Sequence, residues 1–164
     1  MPIYPPVSGV QAWYKSQYFA EAIMDHCFQN AALPTINSSL YFALYTDDPL
    51  TLDGGLTSGT NEVAYTGYAR VQVARDSLTW GNNGTRQEVY LLDDVIWPHP
   101  EDVTGPPYID YVAIVNGPNT TDSILYLLFQ DVGEFIHQQF YNPALYGNAS
   151  TENDTSKLFW IGEY

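Results

Sequence analysis

Two nearly continuous apolar stretches near the middle of the chain constrain its fold most strongly. Tyr108–Val115 is rich in β-branched residues, and Ile124–Phe129 follows it after the turn sequence Asn116-Gly-Pro-Asn119. Stretches of this length without regular polar alternation are typical of strands that are buried on both faces. The sequence therefore predicts a central β-hairpin, around which the rest of the domain must pack.

Further segments on both sides of the hairpin have the character of strands. Ser39–Tyr45 is rich in aromatic residues, and Tyr68–Ala74 alternates so that Ala69, Val71 and Val73 are expected to face the core. Shorter strands are predicted at Leu78–Trp80, Gln87–Leu92, Val95–Trp97 and Leu158–Ile161. The glycine-rich run from Leu50 to Ala64 is expected to be a long exposed loop.

One helix is predicted near the start of the chain, from Trp13 to about Ala31, because apolar residues recur there at helical spacing before Pro34. Cys27, the single cysteine, is expected to be buried in this helix. Residues 1–12 are proline-rich and are expected to form an extended arm, with one β-rich domain over 13–164. The predicted fold class is mainly β: an antiparallel β-sandwich or barrel-like domain with one N-terminal α-helix.

The charge balance restricts the partners of the chain. Nineteen acidic residues against five basic ones give a net charge of −14. Direct binding of nucleic acid needs clustered Lys and Arg, and an anionic membrane needs them as well, so neither partner is expected. The opening Met-Pro-Ile-Tyr-Pro-Pro has no signal-peptide pattern, which favours synthesis in a cytoplasm.

A search for chemistry finds acidic clusters without a recognisable site pattern. The densest contains Asp93, Asp94, His99, Glu101 and Asp102, and a smaller one contains Asp47, Asp48 and Asp53. Both lack the ligand spacing of a dedicated calcium loop, so solvated acidic loops are the favoured interpretation. Nucleotide-binding glycine motifs and nucleophile elbows do not occur. We therefore expect no catalytic residue, no metal, no cofactor and no enzymatic activity.

Aromatic residues are the other unusual feature, since Tyr alone occurs 14 times. Tyrosine suits protein interfaces because it joins a large apolar ring to a polar tip. We predict five interface anchors, in the arm, in the segment that follows it and in the alternating strand: Tyr4, Trp13, Tyr14, Tyr18 and Arg70. Ordinary packing within the subunit remains the alternative for each of them.

The order of four motifs resembles a family of small structural proteins of tailed-bacteriophage virions, described as tail-fibre-like or head-decoration-like. The motifs are Tyr18-Phe-Ala-Glu-Ala-Ile-Met-Asp-His26, Leu40-Tyr-Phe-Ala-Leu-Tyr-Thr-Asp-Asp-Pro49, Asn61-Glu-Val-Ala-Tyr-Thr-Gly-Tyr-Ala-Arg70 and Tyr111-Val-Ala-Ile-Val-Asn116. The resemblance covers most of residues 14–130 and carries no catalytic residue. The chain departs from the family pattern in its arm, in Trp97–Pro107 and after Asp131.

The resemblance implies an accessory structural protein on the exterior of a phage particle. It would act by protein–protein packing, either as a head decoration (cement) protein or as a tail-fibre or adaptor component. Its implied partners are itself, as a trimer or ring, and other virion proteins such as the major capsid or tail proteins. Two alternatives remain open: a glycan-binding module that recognises the host, and a polysaccharide hydrolase that uses Asp93 or Asp94.

Overall fold

A computed structural model describes the chain at residues 13–82, 89–98, 109–129 and 144–145. In chain order its elements are β1 (Trp13–Lys15), α1 (Gln17–Gln29), β2 (Ser39–Tyr45), β3 (Val71–Ala74), β4 (Trp80–Asn82), β5 (Val89–Leu91), β6 (Val95–Ile96), β7 (Tyr111–Val115), β8 (Ile124–Phe129) and β9 (Ala144–Leu145). Within this part of the chain there is one helix, and β-structure predominates, which confirms the predicted fold class. The predicted arm over residues 1–12 lies outside it.

A five-stranded antiparallel sheet forms the centre of the described structure. Its strand order is β1-β8-β7-β2-β3, and two small antiparallel pairs, β4–β5 and β6–β9, accompany it. The hairpin that the sequence predicts is β7–β8, which lies inside the sheet between β1 and β2. Its turn is closed by the Asn116 N–H donating to the Ser123 carbonyl, and a Cβ at Gly117 would meet the Asp122 carboxylate, which would have to shift.

Both faces of this sheet are buried, but by different kinds of residue. One face, called here the packed face, carries large apolar side chains from the sheet and from the segments that cover it, with Trp97 as the largest. Its buried sheet residues are Leu40, Phe42, Leu44, Val73, Val112, Ile114, Leu125 and Leu128. The other face, called here the loop face, includes two alanines beside the large Tyr45 ring, and the segment 46–62 contacts it through Leu50 and Ser58. Its sheet residues are Ala43, Tyr45, Ala113, Val115, Ile124 and Leu127.

Helix α1 begins four residues later than the periodicity predicts, because Trp13–Lys15 pairs with β8 as an edge strand. Ser16 is the N-cap: its buried hydroxyl accepts a hydrogen bond from the Phe19 N–H and donates to the Ile124 carbonyl. Phe19 packs edge-to-face on Tyr126, with ring centroids 5.6 Å apart. The cap and this ring contact fix the helix to the sheet at its N-terminal end.

The prediction that Cys27 is buried is wrong, since its side chain is exposed. Helical spacing shows which residues share a face, but it does not show how far along the helix that face stays covered. Phe19 is the α1 side chain that packs against the core, and Cys27 lies two turns beyond it. Within the described residues no part of α1 is fully buried.

Two details of the predicted strands also need correction. Ala69 is exposed rather than in the core, because β3 begins only at Val71 and the preceding residues turn towards Glu62. Leu78 is 84% exposed, because the Asp76 carboxylate accepts the Leu78 N–H and closes a turn there. The predicted strand over Leu158–Ile161 lies outside the described residues.

The run from Leu50 to Ala64 contains neither helix nor strand, but it is not simply exposed. Gly55 and Ser58 are buried, and Tyr45 forms a β-bridge with Glu62. The Gly55 carbonyl accepts the Ile124 N–H, and the Ser58 N–H donates to the Thr120 carbonyl. The loop is therefore attached to the hairpin and covers the loop face.

Candidate functional site

The strongest polar cluster of the described structure is centred on Glu62 and Arg70. Glu62 lies at the end of the loop that covers the loop face, and Arg70 immediately precedes β3. Nε and Nη2 of Arg70 donate to the two carboxylate oxygens of Glu62 at 2.7 and 2.6 Å. This two-pronged geometry is the strong form of an Arg–carboxylate pair. The side chains are 6% and 12% exposed, so the pair is largely removed from water.

The other donors of Arg70 extend the cluster to the hairpin. Nη1 donates to the carbonyl oxygens of Gly117 at 3.1 Å and Asn119 at 2.9 Å, and Nη2 also donates to Ser58 Oγ at 3.0 Å. One guanidinium thus joins three separate segments: the covering loop, the start of β3 and the β7–β8 turn. The planar fork of arginine donors makes this possible, and lysine would not reproduce it.

Two tyrosines complete the polar cluster. The Tyr68 hydroxyl donates to Glu62 at 2.8 Å and accepts the Leu44 N–H, while the Tyr45 hydroxyl donates to the Ser58 carbonyl at 2.8 Å. Burial, with the charge of Glu62 next, raises the pKa of both tyrosines. Burial alone would lower the pKa of Arg70, but its hydrogen bonds to Glu62 and the charges of Glu62, Tyr45 and Tyr68 together raise the pKa by more.

These pKa shifts indicate what the cluster can do. Groups that act as general acid or base need a pKa near the working pH. The tyrosine hydroxyls and the guanidinium are moved away from that range, so they keep their protons at neutral pH. The hydrogen bonds of the cluster hold three chain segments together.

The structure places the five predicted interface residues in different surroundings. Tyr4 lies outside the described residues. Trp13 is in β1, where it pairs with Leu128 of β8. Tyr14 and Tyr18 are half-buried, and burial, followed by the charges of Tyr111 and Asp48, raises the pKa of Tyr14. The Arg70 guanidinium is held by acceptors within the chain. A contact role for these five residues stays a prediction.

These residues are not brought together into one surface. Tyr14 is on edge strand β1 and Arg70 is next to edge strand β3, with β8, β7 and β2 between them. Adjacent strands lie about 4.8 Å apart, so the two positions are separated by roughly 19 Å across the sheet. Any contact through both would have to span the whole sheet.

The acidic residues serve local structure or face solvent. Asp93 and Asp94 are exposed, while His99, Glu101 and Asp102 lie outside the described residues. The Asp53 carboxylate accepts hydrogen bonds from the N–H groups of Gly55 and Thr57 and from the Thr57 hydroxyl, so it closes a turn of the covering loop. In the part of the chain that the structure describes, no three His, Cys, Asp or Glu residues are grouped to hold a metal ion.

Exposed apolar side chains at the end of α1 are a second feature of the structure. None of the five predicted interface residues belongs to it. Met24 and Phe28 are 57% and 79% exposed, and Leu33 is 48% exposed three residues after the helix C-cap. A signal for it is present in the sequence: no Asp, Glu, Lys or Arg occurs from Cys27 to Thr46, in a chain with net charge −14. Of this region, only Cys27 was predicted to be in the core.

Comparison with known proteins identifies the family. A family model described as "Podophage GP4 fiber I protein gp80" matches residues 14–127, which is more than half of the chain. The chain belongs to this fibre I family. The match runs from Tyr14 in β1 to Leu127 in β8, and it includes both Glu62 and Arg70. No curated protein matches the chain.

Membership in the fibre I family confirms the resemblance to virion structural proteins of tailed phages and indicates a structural protein of a phage fibre. The family is consistent with a non-enzymatic role and with association with other virion components. Among the described residues, the helix is too short and too polar to cross a membrane.

Proposed function

We propose that this chain is a structural subunit of a podophage tail fibre, which acts by packing against other virion proteins and against further copies of itself. The observation that carries this proposal is the fibre I family match over the folded core. The internal Glu62–Arg70 cluster agrees with it, because its polar groups are used to fix the loop face rather than to act on a substrate. Head decoration is the competing placement.

Microscopy of intact particles tests the placement. Mass spectrometry of purified virions should detect the chain, and electron microscopy of virions carrying a tagged copy should locate the tag at the tail. Density across capsomer boundaries on the head would favour the decoration role instead. Absence of the chain from purified virions, with known tail proteins detected in the same sample as the control, would end the structural proposal.

Binding of a host glycan is a second candidate for the same fibre. One observation favours it: Tyr14 and Tyr111 are half-buried near Asp48, so rings and a carboxylate share one end of the loop face. Tyrosine rings pack on sugar faces while carboxylates accept sugar hydroxyls. Purified chain should then bind host surface polysaccharide, and Tyr14→Ala should weaken binding more than Leu78→Ala. Equal binding by both variants and wild type would contradict this role.

A further inference from the structure

The second half of α1 and the residues after it expose several apolar side chains. Met24 and Phe28 are one helical turn apart, at positions i and i+4, so their side chains are neighbours on the same side of the helix. Cys27 is exposed beside them, and the chain continues through exposed Ala31, Ala32 and Leu33. We call these six residues the helix-end surface. Adjoining exposed apolar side chains are a feature of interaction sites, whereas single ones are ordinary.

The helix-end surface is held in a fixed shape. The helix ends at Asn30, which adopts the left-handed conformation, and the Ala31 N–H returns to the Asp25 carbonyl. The segment that follows is tied to the β7–β8 turn, because Asn116 accepts the Asn37 N–H and donates to the Thr35 carbonyl. A preorganised surface loses little conformational entropy on binding.

The distribution of charge indicates which partner fits this surface. The whole chain carries a net charge of −14, so two copies repel each other over most of their surfaces. From Cys27 to Thr46 there is no charged residue, while Glu21 and Asp25 lie within one helical turn of Met24 and border the surface there. A basic partner would be attracted to the acidic regions instead. The uncharged part of the surface, from Cys27 to Leu33, is where an acidic chain can contact another acidic chain at the lowest electrostatic cost.

We propose that the helix-end surface is the contact between copies of this chain. The inference rests on the proposed function, since self-association is part of the role assigned there. It adds the location of the contact, on Met24, Phe28 and the uncharged segment after them. It also separates this contact from the Glu62–Arg70 cluster, which is internal to each copy.

Light scattering coupled to size-exclusion chromatography of the full chain tests the proposal. Wild type should associate with increasing concentration, and Phe28→Asp should raise the concentration for half-association by about tenfold or more, as burial of a charge at an interface core does. Leu78→Asp is the matched control, because Leu78 is equally exposed but lies far along the chain from α1. Its association should equal that of wild type.

Phe28→Ser provides a second variant that adds no charge and should weaken association in the same direction. Circular dichroism should show all three variants folded, since both altered side chains are mainly exposed. A wild type that stays monomeric at the highest soluble concentration overturns the inference. So does an equal loss of association in Leu78→Asp and Phe28→Asp.

Cys27 offers an independent readout without any substitution. It is the single cysteine and it lies in the helix-end surface, so its reaction with a maleimide should slow as the protein concentration rises. Added salt should strengthen association, because it screens the repulsion between two acidic copies. A labelling rate that is independent of concentration while association occurs places the contact elsewhere and overturns the inference.

The failure of this inference and that of the proposed function are distinguishable. A chain found at the tail of virions but monomeric in solution keeps the fibre role and removes this contact. A chain that associates through Phe28 but is absent from virions keeps the contact and removes the fibre role.

Discussion

The two faces of the central sheet are buried to a similar extent but are stabilised in different ways. On the packed face, Phe42 and Ile114 meet Trp97, and the contacts are between large apolar side chains. On the loop face, Ala43 and Ala113 lie in a buried cluster against which Leu50 of the covering loop and three half-buried tyrosines pack. Substitutions at the packed face should change the free energy of unfolding according to the apolar area and volume that they remove. At the loop face, the loss should depend on whether a substitution breaks one of a few hydrogen bonds or the ion pair.

This difference shows how one antiparallel sheet can be covered on both sides by a short chain. The packed face needs side chains from distant segments to interlock, and small changes in their volume are costly. The loop face needs a polar anchor, because loop backbone carries donors and acceptors that must be satisfied when it is buried. Arg70 supplies that anchor from the edge of the sheet.

The largest expected effect comes from the packed face. Trp97→Ala should lower the free energy of unfolding by about 3–5 kcal/mol, since it leaves a cavity where the largest fully buried side chain was. It also removes the donor of the hydrogen bond from Trp97 Nε1 to the Phe42 carbonyl. Urea denaturation measures the change. Ile96→Ala is the control, because Ile96 is the adjacent residue and is 53% exposed, and equal losses would contradict the assignment of Trp97 to the core.

Breaking the ion pair should have the next largest effect. Arg70→Met leaves the largely buried carboxylate of Glu62 without its cation, and a loss of about 3 kcal/mol in unfolding free energy is expected. The double variant Arg70→Met with Glu62→Leu should recover part of this loss, because it removes the uncompensated charge. A double-mutant cycle measures the coupling. Strictly additive effects of the two substitutions would show that the pair does not anchor the loop face.

The sequence predicted the central strands better than the segments that cover the sheet, and the reason is physical. Ser39–Tyr45 and Ile124–Phe129 were predicted with the bounds that the structure has, because buried central strands have a strong local pattern. The exposure of Cys27 could not be predicted from periodicity, since the depth of a helix depends on what covers it. Arg70 was predicted as an interface anchor, but the structure gives its guanidinium acceptors within the chain, on residues 8 to 49 positions away.

A smaller loss of unfolding free energy is expected when a single hydrogen bond at the edge of the polar cluster is removed. Tyr45→Phe removes the hydroxyl that donates to the Ser58 carbonyl but keeps the ring, and about 1 kcal/mol of unfolding free energy should be lost. The Ser58 carbonyl keeps its second donor, Arg70 Nη2 at 3.3 Å, which limits the loss. Tyr41→Phe is the control on the same face, and because Tyr41 is half-buried it should change stability less. The reverse order would contradict the anchoring role of Tyr45.

The smallest effect should be a change in how the free energy of unfolding depends on pH, caused by Asp53 in the covering loop. Burial raises the pKa of Asp53, but hydrogen bonds from the Thr57 hydroxyl and from backbone N–H groups, including that of Gly55, lower it by more, so the net pKa is below 3.8. A carboxyl whose pKa is lower in the folded state stabilises the fold above its unfolded pKa, and this stabilisation is lost as pH falls through its folded pKa.

Asp53→Asn should therefore reduce the difference in unfolding free energy between neutral and strongly acidic pH, by well under about 1 kcal/mol for a partly exposed group screened by water. Denaturation curves at a series of pH values measure it, and Asp47→Asn, an exposed aspartate before the same loop, is the control. Apolar packing contains no titrating group, so Trp97→Ala should lower stability equally at every pH in the series. If Trp97→Ala changed the pH dependence and Asp53→Asn did not, the assignment of polar anchoring to the loop face and of apolar packing to the packed face would be reversed.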